Sequence, residues 1–307
     1  MGRSRGPEAI ESVKRKMVGQ LFVDRLIQAL GVARPLTQPA RLALEKAWLE
    51  AISRPQLSRA VGRLADRALP RPVLDLMLET WVKAYDVAMD EAELPLSDYP
   101  TLDAFFTRRL KAGLRPIDPR PDRVVSCADS VLKRFGPIDP RNRIPEVKGR
   151  SYSVAELLGD AAGHFDLGSF EGGTFGVYYL SPRDYHRVHV PCDATLAAVL
   201  PVAGAYYPVN NLAVQRVERL FAKNIRTVFA LDTAFGRMAL VMVGATNVGR
   251  ITASASAGAT LDKGAELGIF HLGSTVVLLT PKAAGLTHLG VHEGEAVRVG
   301  QAVLGPA

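Results

Sequence analysis

Cysteine is scarce in this chain, and so are long apolar runs. The 307 residues include only two cysteines, Cys127 and Cys192, which form no CxxC pair. They therefore indicate neither a disulfide framework nor a zinc site. No apolar run approaches the ~20 residues that a membrane-spanning helix needs. Charged residues such as Glu8, Glu11 and Lys14 interrupt any signal-peptide core near the N-terminus. These absences predict a cytoplasmic protein.

Acidic residues are scarce at the start of the chain. Residues 1–70 contain 13 lysines and arginines against 6 aspartates and glutamates, which accounts for the whole formal charge of +7. A concentrated positive charge indicates an anionic partner surface. Nucleic acid is disfavoured because basic residues interleaved with aromatic ones are missing from this segment. An anionic membrane surface is the partner that the charge favours.

Three basic amphipathic helices are predicted in this segment, over residues 8–32, 39–52 and 56–69. Apolar residues recur in them at helical spacing, and Arg59, Arg63 and Arg67 lie one turn apart in the third. Such a stripe is compatible with an ordinary solvated face or with a helix that lies on a membrane surface.

The pattern changes from helical to β at a group of prolines between residues 116 and 121. Before it, helices are predicted over 72–87 and from about residue 101, with Thr101 or Asp103 at the N-cap. Beyond it, strands are predicted over 124–125, 174–180, 186–190, 194–202, 226–231, 237–244 and 250–255, with one helix over 214–222. The sequence thus predicts an α+β protein in two parts: a helical region over 1–118, whose basic helices favour association with a membrane, and a mainly antiparallel β domain over 119–307.

The tail over residues 290–305 has glycines between short alternating apolar segments. This pattern suits a small β sandwich and resembles the barrel-sandwich modules that carry biotin or lipoate. The lysine that would carry such a cofactor is missing from the stretch, so the resemblance extends to architecture only.

The segment FHLGST, residues 270–275, precedes the apolar run Val276 to Leu279. Glycine allows close approach to its carbonyl, and Ser274 follows Gly273 directly. A serine hydroxyl held against the preceding carbonyl can attack it and convert the amide into an ester, provided that a base takes its proton. A plain turn before a buried strand is the alternative interpretation.

A base for Ser274 is available in the segment SPRDYHRVH, which contains His186 and His189. The pair could belong to a metal site, but no neighbouring ligands complete one. It could be structural, or one imidazole could act as general base. Asp129, after a short apolar strand, is a candidate to orient that imidazole, or it caps a turn.

The Asp129, SPRDYHRVH and FHLGST segments, in this order and spacing, closely resemble the phosphatidylserine decarboxylase proenzymes. Stretches over 101–118, 207–226 and 243–249 resemble the family as well, and the similarity extends from about residue 75 to the C-terminus.

The resemblance implies a self-cleaving chain. His189, oriented by Asp129, removes the Ser274 proton, and Ser274 attacks the Gly273 carbonyl. β-Elimination of the ester then leaves a dehydroalanine, which hydrolyses to an N-terminal pyruvoyl group and ammonia. The products are a large subunit, 1–273, and a small one that begins at residue 274.

The resemblance also implies the activity. The pyruvoyl group derived from Ser274 condenses with the amine of phosphatidylserine and acts as electron sink when CO2 leaves. His186 assists decarboxylation or reprotonation, and Tyr179 lies near the substrate. The product is phosphatidylethanolamine. The family further implies that the β domain over 119–307 is catalytic and that the protein is a homodimer. Because the lipid substrate stays in its bilayer, we expect the protein to lie peripherally at the cytoplasmic face of the cell membrane.

Two residues depart from the family pattern. Ser130 follows Asp129 where the family usually has glycine, and a positive φ there would cost about 1 kcal/mol. Ile225 stands where the family usually has an acidic residue. Three other interpretations stay open: a serine hydrolase that uses Ser274, His189 and Asp129, an uncleaved degenerate family member, and a non-catalytic membrane-binding module.

Overall fold

The computed structural model describes residues 47, 49–50, 52–146, 149–209, 211–246, 250–271 and 274–306. The helix predicted over 8–32 and nearly all of the one predicted over 39–52 lie outside these ranges. None of the helices in the described part of the chain combines the length and apolarity needed to cross a bilayer.

Of the α-helices with described bounds, three lie before the first strand and three lie between strands. In chain order they are α1 Pro55–Ala65, α2 Arg71–Tyr85, α3 Leu102–Phe106, α4 Val154–Leu158, α5 Asn211–Arg216 and α6 Leu220–Lys223. Thr101 caps α3, as predicted, because its side chain accepts a hydrogen bond from the Ala104 amide at 3.0 Å. The helix predicted over 214–222 is instead two pieces, since Arg219 adopts a positive φ of 54° between them.

Sixteen strands are present in the described ranges. They are β1 Val124–Val125, β2 Ser130–Pro137, β3 Arg143–Pro145, β4 Ser151–Ser153, β5 Thr174–Leu180, β6 Arg187–His189, β7 Ala194–Val202, β8 Arg226–Thr233, β9 Gly236–Val243, β10 Arg250–Ala253, β11 Thr260–Leu261, β12 Glu266–His271, β13 Ser274–Thr280, β14 Leu286–His288, β15 Ala296–Val297 and β16 Ala302–Pro306. Each predicted strand is present, and β1, β5 and β7 have the predicted bounds.

The largest sheet has eight strands in the order β11-β7-β8-β9-β13-β5-β2-β15. Smaller sheets are β10-β12-β6, β1-β16-β14 and β3-β4. The strand pairs named here are antiparallel. The predicted α+β class, mainly antiparallel, is therefore confirmed, and the described strands form open sheets rather than a closed barrel.

The central strand β13 explains the apolar run of the sequence. Val276 and Leu278 face one hydrophobic core, and Val277 and Leu279 face a second core on the other side of the sheet. All four side chains are buried. A strand covered on both faces has no polar alternation, so the apolar run predicted a buried strand correctly. The division of the chain at residue 118 stays a prediction.

Candidate active site

The site is built where β12 ends and β13 begins. The last residue of β12 is His271 and the first of β13 is Ser274. Leu272 and Gly273, and with them the predicted cleavage point, lie outside the described residues. The backbone of Ser274 pairs with Leu180 at the end of β5.

The loop after β5 connects the two sides of this junction. It starts at Leu180, opposite Ser274, and ends at His186, whose carbonyl accepts a hydrogen bond from the Phe270 amide in β12 at 3.0 Å. β6 then runs beside β12, with His189 opposite Glu266. The backbone therefore places the SPRDYHRVH segment against the strands before and after the predicted cleavage point.

Tyr179 lies one residue before the loop and pairs across the sheet with Thr275, the neighbour of Ser274. The ammonium group of Lys133 lies 5.4 Å from the centre of the Tyr179 ring. The position of Tyr179 is compatible with its predicted role near the substrate, which stays a prediction.

His189 has both ring nitrogens engaged. Nδ1 lies 2.8 Å from the Gly264 carbonyl oxygen and Nε2 lies 3.1 Å from the Tyr185 hydroxyl. A carbonyl only accepts, so Nδ1 carries the proton and donates it. Burial lowers the pKa of His189 below its ordinary value. The neutral ring therefore has its lone pair at Nε2, where the Tyr185 hydroxyl donates to it.

Asp129 does not contact His189 through a hydrogen bond. Its carboxylate accepts from Arg115 Nε at 2.9 Å, from Arg115 Nη2 and from the Val299 amide at 2.9 Å. Direct orientation of the His189 ring by Asp129, as expected from the triad pattern, is not what the structure shows. A guanidinium within reach matches a carboxylate in both charge and geometry, and the Gly264 carbonyl occupies the position at Nδ1 instead.

Asp129 nevertheless belongs to the same neighbourhood. Two residues before it, the Cys127 carbonyl accepts a hydrogen bond from the His189 amide at 2.8 Å. The segment that carries Asp129 thus holds the backbone of His189. Ser130 begins β2 opposite Val297 and is not among the residues with positive φ, so the strain considered for the missing glycine does not arise.

His186 is fully buried. Its Nδ1 lies 2.8 Å from the Asp184 carbonyl, and its ring packs on Phe106 at 4.0 Å between centroids. Among the described residues, Nε2 has no hydrogen-bond partner. Burial lowers the pKa of His186 to about 3, so the ring is neutral and Nε2 presents a lone pair.

Three side-chain contacts that stabilise this site were not predicted from the sequence. Arg115 on Asp129 and Tyr185 on His189 both lie in segments that carried the family resemblance, but no spacing rule assigns them a partner. The third is an aspartate–histidine pair at the end of β12, formed by Asp103 and His271. In the described part of the chain, no group of His, Cys, Asp and Glu side chains could hold a metal ion.

Similarity to known proteins points to one family. Residues 102–305 match the family model for phosphatidylserine decarboxylase. A phosphatidylserine decarboxylase proenzyme of Azotobacter vinelandii is 41% identical over 270 residues, covering 80% of this chain and 92% of the relative. Proenzymes of the same name from Bordetella petrii and Myxococcus xanthus are 39% and 37% identical, covering 76% and 83% of this chain and 91% and 95% of their own lengths. The chain belongs to the phosphatidylserine decarboxylase family.

Proposed function

We propose that this chain cleaves itself between Gly273 and Ser274 and then converts phosphatidylserine to phosphatidylethanolamine and CO2. The observation that supports the proposal best is the loop from Leu180 to His186. It starts opposite Ser274 and ends beside Phe270, so the histidine segment contacts the strands before and after the proposed cleavage point.

In the proposed cleavage, the Ser274 hydroxyl attacks the Gly273 carbonyl while its proton passes to Nε2 of His189. The C–N bond breaks as the new C–O ester bond forms, and the amine of residue 274 takes a proton. Loss of the α-proton then expels the Gly273 carboxylate and leaves a dehydroalanine, which water converts to a pyruvoyl group and ammonia. A neutral imidazole with Nδ1–H fixed by a carbonyl suits this base role. Before it acts, the Tyr185 hydroxyl gives up its contact with Nε2.

Asp129 has a positioning role in this proposal. Its ion pair with Arg115 and its bond from Val299 fix the segment whose Cys127 carbonyl holds His189. A buried, paired carboxylate holds its surroundings in one arrangement because any shift would leave a charge unpaired. Asp129 therefore acts on the base through the backbone.

The pyruvoyl group supplies the electron sink for loss of CO2. The residues around its origin fit such a group: the Ser274 backbone begins a fixed central strand, and His186 has an unpartnered ring nitrogen among the described residues. Because its pKa is about 3, His186 accepts a hydrogen bond from the substrate rather than donating a proton at neutral pH. Tyr179 is proposed to border the same substrate.

Mass spectrometry of the denatured protein tests the central step. Two fragments are expected, the smaller beginning with a pyruvoyl in place of Ser274, and borohydride with an amine should label only that fragment. An intact 33.1 kDa chain labelled by a fluorophosphonate would favour a serine hydrolase instead. An intact chain without label or CO2 release would indicate an uncleaved family member or a binding module.

The substrate is an anionic lipid that stays in its bilayer, so the enzyme must reach the membrane. We place the protein peripherally on the cytoplasmic face of the membrane, with the basic segment over 1–70 against anionic headgroups. We further propose that the protein is a homodimer. Light scattering on the native protein should then give twice the mass of one chain.

Vesicle binding of the full chain tests the membrane contact. Replacement of Arg59, Arg63 and Arg67 by glutamine should weaken binding to phosphatidylserine-containing vesicles by up to ~1 kcal/mol per charge. Replacement of the same three by lysine keeps the charge and is the matched control. Equal binding of the glutamine variant and the wild type would contradict the assignment of the surface.

A further inference from the structure

The side chain of His271 is fixed at the end of β12. Its Nδ1 lies 2.9 and 2.8 Å from the two carboxylate oxygens of Asp103, and its Nε2 lies 2.9 Å from the Thr252 hydroxyl. A carboxylate only accepts, so Nδ1 carries the proton. The side chains of His271 and Asp103 are 14% and 12% exposed, so the contact is largely buried. The two residues are 168 positions apart in the sequence.

The element that carries Asp103 also holds the histidine segment. Asp103 lies in α3, and Phe106 of the same helix packs on the His186 ring. Directly after the helix, the Thr107 carbonyl accepts from Arg187 Nε at 2.9 Å, and Arg108 Nη2 donates to the Arg183 carbonyl at 2.7 Å. One short helix therefore contacts both segments that the proposed cleavage must bring together.

We propose that Asp103 and His271 are a positioning pair for self-cleavage. His271 is two residues before Gly273 in the sequence and is the last residue of its strand. The Asp103 contact fixes that strand end relative to α3, and α3 fixes the loop that precedes His189. Because attack on a carbonyl is sensitive to displacements of about 1 Å, which can cost ~100-fold in rate, loss of the contact slows cleavage. This inference rests on the proposed cleavage between residues 273 and 274.

Arg250 is a charged group that also contacts this pair. Its Nη2 lies 3.4 Å from Asp103 Oδ2, to which it donates, and 3.0 Å from His271 Nδ1, where both nitrogens are donors and share the Asp103 carboxylate as acceptor. The same guanidinium reaches Asp66 at 3.3 Å. Its side chain is 52% exposed, so its pair with Asp66 is a surface ion pair of small energetic weight. Asp66 thus provides a matched control that leaves the Asp103–His271 contact in place.

Two amide replacements of His271 separate the contacts of its two nitrogens. The amide nitrogen of His271→Asn occupies the place of Nδ1 and can still donate to Asp103, whereas that of His271→Gln occupies the place of Nε2 and can reach only Thr252. The full chains are made in a cell-free system, and the appearance of the two fragments is followed on gels. His271→Gln and Asp103→Ala are expected to cleave ~10- to 100-fold more slowly than wild type, whereas His271→Asn and Asp66→Asn stay within about threefold.

The double variant Asp103→Ala/His271→Gln should cleave no more slowly than the slower single variant, since both changes remove one contact. Wild-type cleavage rates in both single variants, with only a lower thermal midpoint, would show that the pair merely docks α3 and would overturn the inference. Equal slowing by His271→Asn and His271→Gln would overturn it too. A wild-type chain that stays whole would overturn the proposed function itself, a distinct result.

Discussion

At the scale of single residues, the site depends on which polar atom each charged group meets. His189 keeps its proton on Nδ1 because the Gly264 carbonyl accepts it, and burial keeps the ring neutral. Asp129 is neutralised by Arg115 rather than by an imidazole. The base and the carboxylate are therefore held by separate groups, although the sequence suggested one triad.

Replacement of the proposed base should stop maturation. His189→Gln retains an amide nitrogen but cannot take up a proton, so we expect fragment formation to slow by ~10²- to 10⁴-fold, the usual worth of a general base. Gel analysis over hours measures the rate. His292→Gln, at an exposed histidine, is the control, and cleavage of His189→Gln at the wild-type rate would remove His189 from the mechanism.

Loss of Arg115 should destabilise the fold as well as the site. Its guanidinium contacts Asp129 and Glu91, with about a tenth of the side chain exposed, and Arg115→Met would leave these carboxylates without it. Removing one partner of a buried pair costs ~3–5 kcal/mol, which urea unfolding would measure as a lower midpoint.

The control for that experiment is Arg120→Met. Arg120 pairs with Asp118 at the surface, with more than half of its side chain exposed, and its loss should barely move the urea midpoint. If Arg115→Met and Arg120→Met unfolded at the same urea concentration, the structural weight given to Asp129 and Arg115 would be wrong.

At the scale of elements, β13 determines what cleavage does to the structure. It lies between β9 and β5 in the eight-stranded sheet, with backbone pairing on both sides and apolar side chains in both cores. β15 and β16 lie beyond the same cleavage point and pair with β2 and β1. The proposed small subunit is therefore part of the sheets and cores of the large one.

We expect the two subunits to stay together after cleavage. Size-exclusion chromatography under native conditions should give one peak that contains both fragments, because separation would expose the buried faces of β13 and break its pairing with two strands. In guanidinium chloride the fragments should separate. Loss of the small fragment under native conditions would contradict the central position of β13.

At the scale of the whole molecule, buried neutral histidines make stability depend on pH. Burial lowers the pKa of His186 to about 3, that of His288 to about 4, and that of His189 below its ordinary value. An unfolded imidazole titrates near pH ~6.5. Below that pH the unfolded chain binds more protons than the folded chain, so the free energy of unfolding falls as pH decreases.

Urea unfolding between pH 7.5 and 5 would measure this effect in a window above the titration of most carboxylates. Each buried imidazole lowers the free energy of unfolding by up to ~1.4 kcal/mol for each pH unit below its unfolded pKa. His288→Gln retains a donor for the Phe175 carbonyl, which Nε2 contacts at 3.3 Å, and should reduce the slope. A midpoint that did not change from pH 7.5 to 5 would contradict the neutral burial of these rings.

The sequence by itself determined the main strands, several helices and the family. Apolar runs such as Val276 to Leu279 specify a doubly covered strand, and Thr101 specifies a helix start, because alternation and capping act between residues close in the chain. The motifs around Asp129, His189 and Ser274 indicated the chemistry for the same reason: each is local.

Only the tertiary structure decided which side chains meet. Gly264 and His189 are 75 residues apart and Asp103 and His271 are 168 apart, and sheet register and the docking of α3 bring them together. Arg115 reaches Asp129 over 14 residues, and Tyr185 reaches His189 over four. From the sequence alone, several acidic or basic residues are equally good candidates for the hydrogen-bond partner of each of these side chains. The packing of the cores brings these partners within hydrogen-bond distance, and burial disfavours leaving such groups unpaired.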